Sequence, residues 1–136
     1  MDARHISLAL GRSGEEAAAD YLQSLGWRIV ERNFRTGSGE IDLIADDGRT
    51  VVFVEVKTRS SIQHGLPAEA VGPQKAQRLL RAAARYLSQT EQWHRPCRFD
   101  IIAIVGRPPQ CTLYHLRHTV ELSHALDRRH AHWQPW

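Results

Sequence analysis

The sequence predicts an α/β domain in which a central mixed β-sheet is flanked by helices. Three observations lead to this prediction: helical spacing of apolar residues after Ser13 and again after Pro73, an Asp-Gly turn between two apolar runs, and a further apolar run after the second helix. The turn predicts an antiparallel hairpin, whereas a helix between two strands is typical of a parallel crossover. The predicted core is therefore α-β-β-β-α-β.

The first helix is predicted over about residues 14–25. Ser13 and Glu16 have the spacing of a capping box, and Gly26 stands where a C-terminal cap belongs. Four apolar residues between them recur at the spacing of one buried helical face: Ala18, Tyr21, Leu22 and Leu25.

The other elements follow from similar patterns. Gly72-Pro73 opens the second helix, because proline is tolerated in a first turn, and this helix extends to about Thr90. Loops are predicted over residues 35–39 and 60–67. Strands are predicted over residues 27–34, 40–45, 51–57, 98–105 and 112–116.

Length and composition indicate a single globular domain. Of 136 residues, 42% are hydrophobic and 24% charged, which suffices for one buried core. The net charge of +3 permits a polyanionic partner without requiring one. Two cysteines exclude a disulfide framework and a four-thiolate zinc site from this chain alone. Because no long apolar segment or signal peptide is evident, we expect a cytoplasmic protein with no membrane partner.

Three segments are expected along the chain. Residues 1–12 are predicted to be an N-terminal lead-in, residues 13–120 the folded domain, and residues 121–136 a partly irregular tail rich in histidine and tryptophan. A weak helical pattern lies near Val120–Leu126.

The run Val51–Lys57 carries charges where none are expected. Its apolar residues predict a central strand covered on both faces, yet it contains Glu55 and Lys57. Both share a face, because side chains alternate along a strand. The alternative is a charged ladder on a half-exposed edge strand, which so apolar a run argues against.

The preceding strand adds two carboxylates. If Asp47-Gly48 formed a two-residue turn, Asp46 would pair with Arg49, and Asp42 would be a diagonal neighbour of Glu55, about 7–8 Å away between Cα atoms. Four charged side chains would then lie on one side of the sheet: Glu40, Asp42, Glu55 and Lys57.

Carboxylates this close repel each other, and one lysine offsets only part of their charge. A divalent cation would offset the rest, and hard oxygen ligands suit Mg²⁺ or Mn²⁺. Glu15 borders the buried face of the first helix and is a candidate fourth acid. Alternatively, Glu15 only stabilises the helix N-terminus through the dipole.

Asp42 and Glu55-Val56-Lys57 resemble the PD-(D/E)xK nuclease signature of the restriction-endonuclease-like fold, with Ile41 where proline is usual. Over residues 8–105 the chain resembles more closely the YraN family of uncharacterised bacterial proteins, and its acidic first helix is similar to that of archaeal Holliday-junction resolvases. The segments that carry the YraN resemblance are Gly14-Glu15, Arg32-Asn33, Gly39–Ile44, Val54–Arg59, Lys75 and Arg98–Asp100.

The resemblance implies a metal-dependent nuclease site. Asp42 and Glu55 would hold Mg²⁺ or Mn²⁺, with the backbone carbonyl of Val56 completing the shell. Glu15 would join as a direct or water-mediated ligand, and Glu40 as an outer acid.

The same resemblance gives Lys57 a catalytic role. It would position or deprotonate the attacking water, or stabilise the pentacovalent phosphate. Because neighbouring carboxylates keep a lysine protonated, we favour charge stabilisation.

Basic residues flank the acids and are expected to contact phosphates without reading sequence. The second helix carries a basic stripe of Lys75, Arg78, Arg81 and Arg85, of which the last two are equally compatible with a solvated helix face. The candidate nucleic-acid-binding residues are Arg35, Arg59, Lys75 and Arg78. No recognition helix or aromatic stacking platform is evident.

We therefore expect a metal-dependent endonuclease acting on structured or branched DNA. The alternatives are a non-catalytic nucleic-acid-binding module of the same fold and an RNA- or tRNA-directed nuclease. Cutting both strands symmetrically would require a homodimer. Of the remaining residues, Asp100 is expected to make structural hydrogen bonds. His115, His118 and His124, or alternatively His130 and His132, are candidates for a transition-metal site, although coincidental spacing is expected among eight histidines.

Overall fold

The structure is a computed structural model that describes residues 3–9, 13–37, 39–60 and 73–120. From α1 onward, the elements follow the order predicted from the sequence, and their bounds differ from the prediction by a few residues. The elements are β1 (Ala3–Ala9), α1 (Gly14–Ser24), β2 (Arg28–Thr36), β3 (Gly39–Asp46), β4 (Val51–Arg59), α2 (Pro73–Gln89), β5 (Cys97–Arg107) and β6 (Gln110–Val120).

These strands form one mixed sheet in the order β1-β6-β5-β4-β3-β2. β4 and β5 are parallel and are connected through α2, whereas the other neighbouring strands are antiparallel. This arrangement confirms the predicted mixed sheet and is that of the restriction-endonuclease-like fold.

Each face of the sheet is covered by one helix. On the α1 side, Ala18 and Leu22 pack with sheet residues that include Val54. On the α2 side, Leu80 packs with sheet residues that include Phe53. β4 is therefore buried on both faces, which explains its nearly continuous apolar sequence. Within the described residues, neither helix has the length and apolar character needed to cross a bilayer.

The predicted caps of α1 are present. The hydroxyl of Ser13 accepts a hydrogen bond from the backbone N–H of Glu16 at 3.2 Å. After the helix, Gly26 has a φ of +88°, and its N–H donates to the carbonyl of Gln23 at 2.9 Å. Glycine takes this left-handed conformation without the steric cost of a Cβ.

The N-terminal lead-in was predicted wrongly, because residues 3–9 form the edge strand β1, antiparallel to β6. β1 is held by backbone pairing on one side, and its central residues His5, Ile6 and Ser7 are exposed, so it has little of the apolar pattern that identifies inner strands. The predicted loop at 61–67, residues 121–136 and most of the helical pattern at Val120–Leu126 lie outside the described residues.

Candidate active site at the β3–β4 hairpin

The turn between β3 and β4 contains four residues, because Asp46 pairs with Val51. The predicted pairing of Asp46 with Arg49 was therefore wrong. The cause is the Asp47 carboxylate, which accepts hydrogen bonds from the backbone N–H groups of Arg49 at 2.9 Å and Thr50 at 2.7 Å. These bonds stabilise a wider turn than Asp-Gly forms alone.

The wider turn changes how the two central acids face each other. Leu43 and Val54 are the last paired residues toward the site, so the next position along each strand carries Asp42 and Glu55. The predicted diagonal relation of Asp42 and Glu55 depended on the pairing of Asp46 with Arg49, and the observed register does not produce it.

β3 is also irregular at Asp42. Ile41 packs in the α2-side core, whereas Leu43 packs in the α1-side core, although regular alternation would place both on one side. The Asp42 carboxylate accepts the backbone N–H of Val56 at 2.8 Å, where strand pairing has ended. The prediction that four charged residues share one face assumed that side chains alternate regularly between the two faces along β3. The strand does not keep this alternation at Asp42.

The structure nevertheless brings the four predicted acids together. Burial raises the pKa of Asp42, and although the hydrogen bond from Val56 lowers it, the negative charges of Glu55, Glu15 and Glu40 raise it further, to about 6. Burial is thus the main cause of the raised pKa of Asp42, and the repulsion of the neighbouring acids adds to it.

Glu15 reaches this cluster because α1 begins very close to the sheet. A Cβ on Gly14 would lie 2.8 Å from the Cγ2 atom of Thr58 and 3.8 Å from the Cγ1 atom of Val56. A larger residue at position 14 would push the start of α1 away from β4. Gly14 thus positions Glu15 near the end of β4.

Glu55 is held by two lysines. Its Oε1 atom accepts a hydrogen bond from Nζ of Lys75 at 2.6 Å and is 3.0 Å from Nζ of Lys57. Burial lowers the pKa of Lys75. Burial also opposes the charge of Lys57, but its contact with Glu55 favours the charged form, and its pKa is raised above the ordinary value. Lys57 is therefore a charged group and not a neutral base.

The donor chemistry at this place fits a hard divalent cation. Asp42, Glu55 and Glu15 offer carboxylate oxygens, which Mg²⁺ and Mn²⁺ prefer. One oxygen of Asp42 is engaged by Val56, and the two lysines supply the positive charge beside Glu55. Across the described residues, no three metal-ligating side chains stand close enough to enclose an ion. The carbonyl of Val56 stays a predicted ligand.

Three of the four predicted phosphate-binding residues meet in one groove. Arg35, Lys75 and Arg78 line a groove of about 710 Å³ between the β2–β3 turn and α2, and Glu55 forms part of its wall. Arg59 lines a different pocket, beyond the end of β4. Glu40 also lines this groove, which therefore borders two members of the acid cluster.

A buried polar network was not predicted as a unit. His115 Nδ1 lies 2.9 Å from the hydroxyl of Tyr21, and its Nε2 lies 2.8 Å from Asp100, which also accepts from Arg98 at 3.1 Å. The structural role expected of Asp100 is confirmed. The His115 ring is fully buried and held in this network, and the side chains of His118 and His124 lie outside the described part of the chain.

The raised pKa of Asp42 gives a stability prediction. A carboxyl whose folded-state pKa is above its ordinary 3.8 favours folding at low pH, and this contribution is lost as the pH rises through about 6. We expect Asp42→Asn to stabilise the protein at pH 8 by about 1–2 kcal/mol, after discounting for solvent screening, and to change little at pH 4. Urea unfolding at both pH values measures this, with Glu31→Gln, an exposed acid on β2, as control. Equal destabilisation at both pH values would contradict it.

Comparison with known proteins places the chain in a family. The model of the "Uncharacterised protein family UPF0102" matches residues 14–104, a segment that contains all five predicted catalytic residues. A UPF0102 protein of Nitratidesulfovibrio vulgaris is 45% identical over 100% of this chain and 99% of its own length. Those of Chlorobium limicola and Lawsonia intracellularis are 50% and 38% identical over 75% and 96% of this chain, and 79% and 98% of their own lengths. The chain therefore belongs to the UPF0102 (YraN) family, in agreement with its PD-(D/E)xK-like motifs.

Proposed function

We propose that this protein is a Mg²⁺- or Mn²⁺-dependent endonuclease that hydrolyses phosphodiester bonds in structured or branched DNA. The observation that carries the proposal is the convergence of three further acids on Asp42, whose pKa is raised to about 6 by burial and by their charges, beside a lysine that stays charged. Such repulsion lowers stability without a ligand, and a site for a divalent cation accounts for it.

In this proposal the acidic residues bind the metal ion, and the basic residues contact the phosphate. The ion would be held by Asp42, Glu55 and Glu15. It would lower the pKa of a bound water molecule and neutralise negative charge on a phosphoryl oxygen. Lys57 adds positive charge where the phosphate carries developing negative charge. The groove residues Arg35, Lys75 and Arg78 position the backbone without selecting a sequence.

One observation favours a second candidate, a nucleic-acid-binding module that does not cleave. Glu55 is already compensated by Lys57 and Lys75, so this half of the cluster does not need a cation for neutrality. In a binding module the two lysines would stay on Glu55, and DNA affinity would not depend on divalent ions.

Metal binding distinguishes these candidates. A ligand bound by the folded state alone raises its stability, and Asp42 must lose its proton to serve as a ligand. We expect Mn²⁺ to raise the melting temperature at pH 7.5 and to do so weakly at pH 5, below the pKa of about 6. Glu31→Gln should keep the shift and Asp42→Asn should lose it. No Mn²⁺ shift in the wild type at pH 7.5 would favour the binding module.

The salt dependence of DNA binding tests whether the groove residues contact phosphates. Arg78 lines it, whereas Arg85, seven residues along the same helix and also exposed, does not line it. We expect Arg78→Gln to weaken DNA binding and to reduce the slope of log affinity against log salt by about 1. Fluorescence anisotropy at several salt concentrations measures both, and Arg85→Gln is the matched control. Equal effects of the two substitutions would contradict a role for the groove.

A further inference from the structure

A row of paired residues connects the site with the β1 edge of the sheet. Lys57 in β4 is beside Ala103 in β5, Ala103 is opposite Tyr114 in β6, and Tyr114 is opposite His5 in β1. Residues paired across neighbouring strands share a face. Since strands are about 4.7–4.9 Å apart, the Tyr114 backbone lies about 10 Å from that of Lys57.

The row lies on the side of the sheet that carries Glu55. The neighbouring row, in which Glu55 is beside Ile101 and Ile101 is opposite Leu116, confirms this, because Ile101 and Leu116 pack in the α2-side core. Tyr114 is two residues before Leu116 on β6 and therefore faces the same way.

The row ends at two aromatic rings, which contact each other. The ring centroids of His5 and Tyr114 are 5.8 Å apart, with an angle of 35° between the ring planes. His5 is exposed and Tyr114 is half-buried. Adjacent rings on a sheet face are the arrangement on which proteins stack the bases of single-stranded nucleic acid.

We propose that Tyr114 and His5 form a base-stacking platform, which holds an unpaired nucleotide of the DNA strand whose phosphate lies at Glu55 and Lys57. The inference rests on the proposed function and deepens it. Bases within a duplex are stacked on their neighbours and cannot lie on a protein ring, whereas an unpaired base presents its π-face. The substrate class is therefore DNA with a single-stranded segment next to the phosphate at the site.

Binding to a fork with one single-stranded arm tests the platform without any cleavage. The arm carries 2-aminopurine, whose fluorescence falls on stacking, and EDTA is present throughout. We expect Tyr114→Leu to weaken fork binding about 10-fold, the range typical for loss of one stacked base, and to abolish the fluorescence change. Tyr114→Phe should keep both, and Ile6→Ala, an exposed position on the other face of β1, should behave as the wild type.

Each outcome separates the platform from the proposed function. Fork binding and fluorescence that are the same in Tyr114→Leu and the wild type would overturn the platform and leave the nuclease proposal in place. A wild type that binds no fork and cuts no DNA would overturn both. Thermal melting of each variant verifies that Tyr114→Leu is folded. Should it not be, His5→Leu, at the exposed ring of the pair, provides the second test, and unchanged fork binding and fluorescence in that variant would likewise overturn the platform.

Discussion

Glu55→Gln is expected to lower Mn²⁺-dependent DNA cleavage by on the order of 10²–10³-fold, the size typical for loss of one electrostatic group at a reacting centre. Glutamine has nearly the shape of glutamate but lacks the charge that a divalent cation requires. It also leaves Lys57 and Lys75 without the carboxylate that both contact. The measurement is the cleavage rate of a labelled branched DNA at saturating Mn²⁺.

The matched control for Glu55→Gln is Glu31→Gln. Glu31 lies on β2 and is exposed, so the same change of chemistry there should leave the rate unaltered. Melting temperatures of both variants separate loss of activity from loss of fold. Cleavage that persists in folded Glu55→Gln at the wild-type rate would contradict the role assigned to this residue.

The largest effect on stability is expected at Asp100. This carboxylate is fully buried and contacts both Arg98 and His115. Burial opposes its charge, but the hydrogen bonds and charges of these two partners lower its pKa. Asp100→Asn leaves the Arg98 charge with less compensation, and removing one member of a buried ion pair costs about 3–5 kcal/mol.

Urea unfolding at pH 7 measures the loss. A lowered carboxyl pKa gives stability that is present above the ordinary value of 3.8 and lost as the pH falls through the lowered one. The difference between wild type and Asp100→Asn should therefore shrink in strong acid, opposite to the trend expected for Asp42→Asn. A loss below about 1 kcal/mol, the size of an exposed pair, would show that this network does not stabilise the fold.

Local sequence patterns were sufficient to predict most of the fold. The capping residue Ser13, the apolar spacing of α1 and the apolar run of β4 each report on contacts within a few residues, so they can be recognised without tertiary information. β1 could not be predicted in this way, because its partner β6 is more than a hundred residues away and its exposed side chains show no buried pattern. The four-residue turn was missed because a side chain, Asp47, determines it.

In the candidate site, too, the features set by local sequence could be predicted, and those that depend on tertiary packing could not. The grouping of Glu40, Asp42 and Glu55 was predictable, because a hairpin places these positions near each other in any register close to the observed one. The contact of Lys75 with Glu55 depends on how α2 packs on the sheet and was expected only as a phosphate contact. Likewise, the pair of His5 and Tyr114 arises only when β1 and β6 associate, and for this reason no aromatic platform was evident in the sequence.

The most direct test of the proposed endonuclease activity is cleavage of a labelled DNA panel by the wild-type protein, with Mn²⁺ or with EDTA. The panel contains duplex, single strand, flap, fork and four-way junction, and a structured RNA is added to test the alternative substrate. We expect cleavage of at least one branched DNA with Mn²⁺ and none with EDTA. Salt-sensitive binding to the panel without cleavage of any member would contradict it and would favour the non-catalytic binding module.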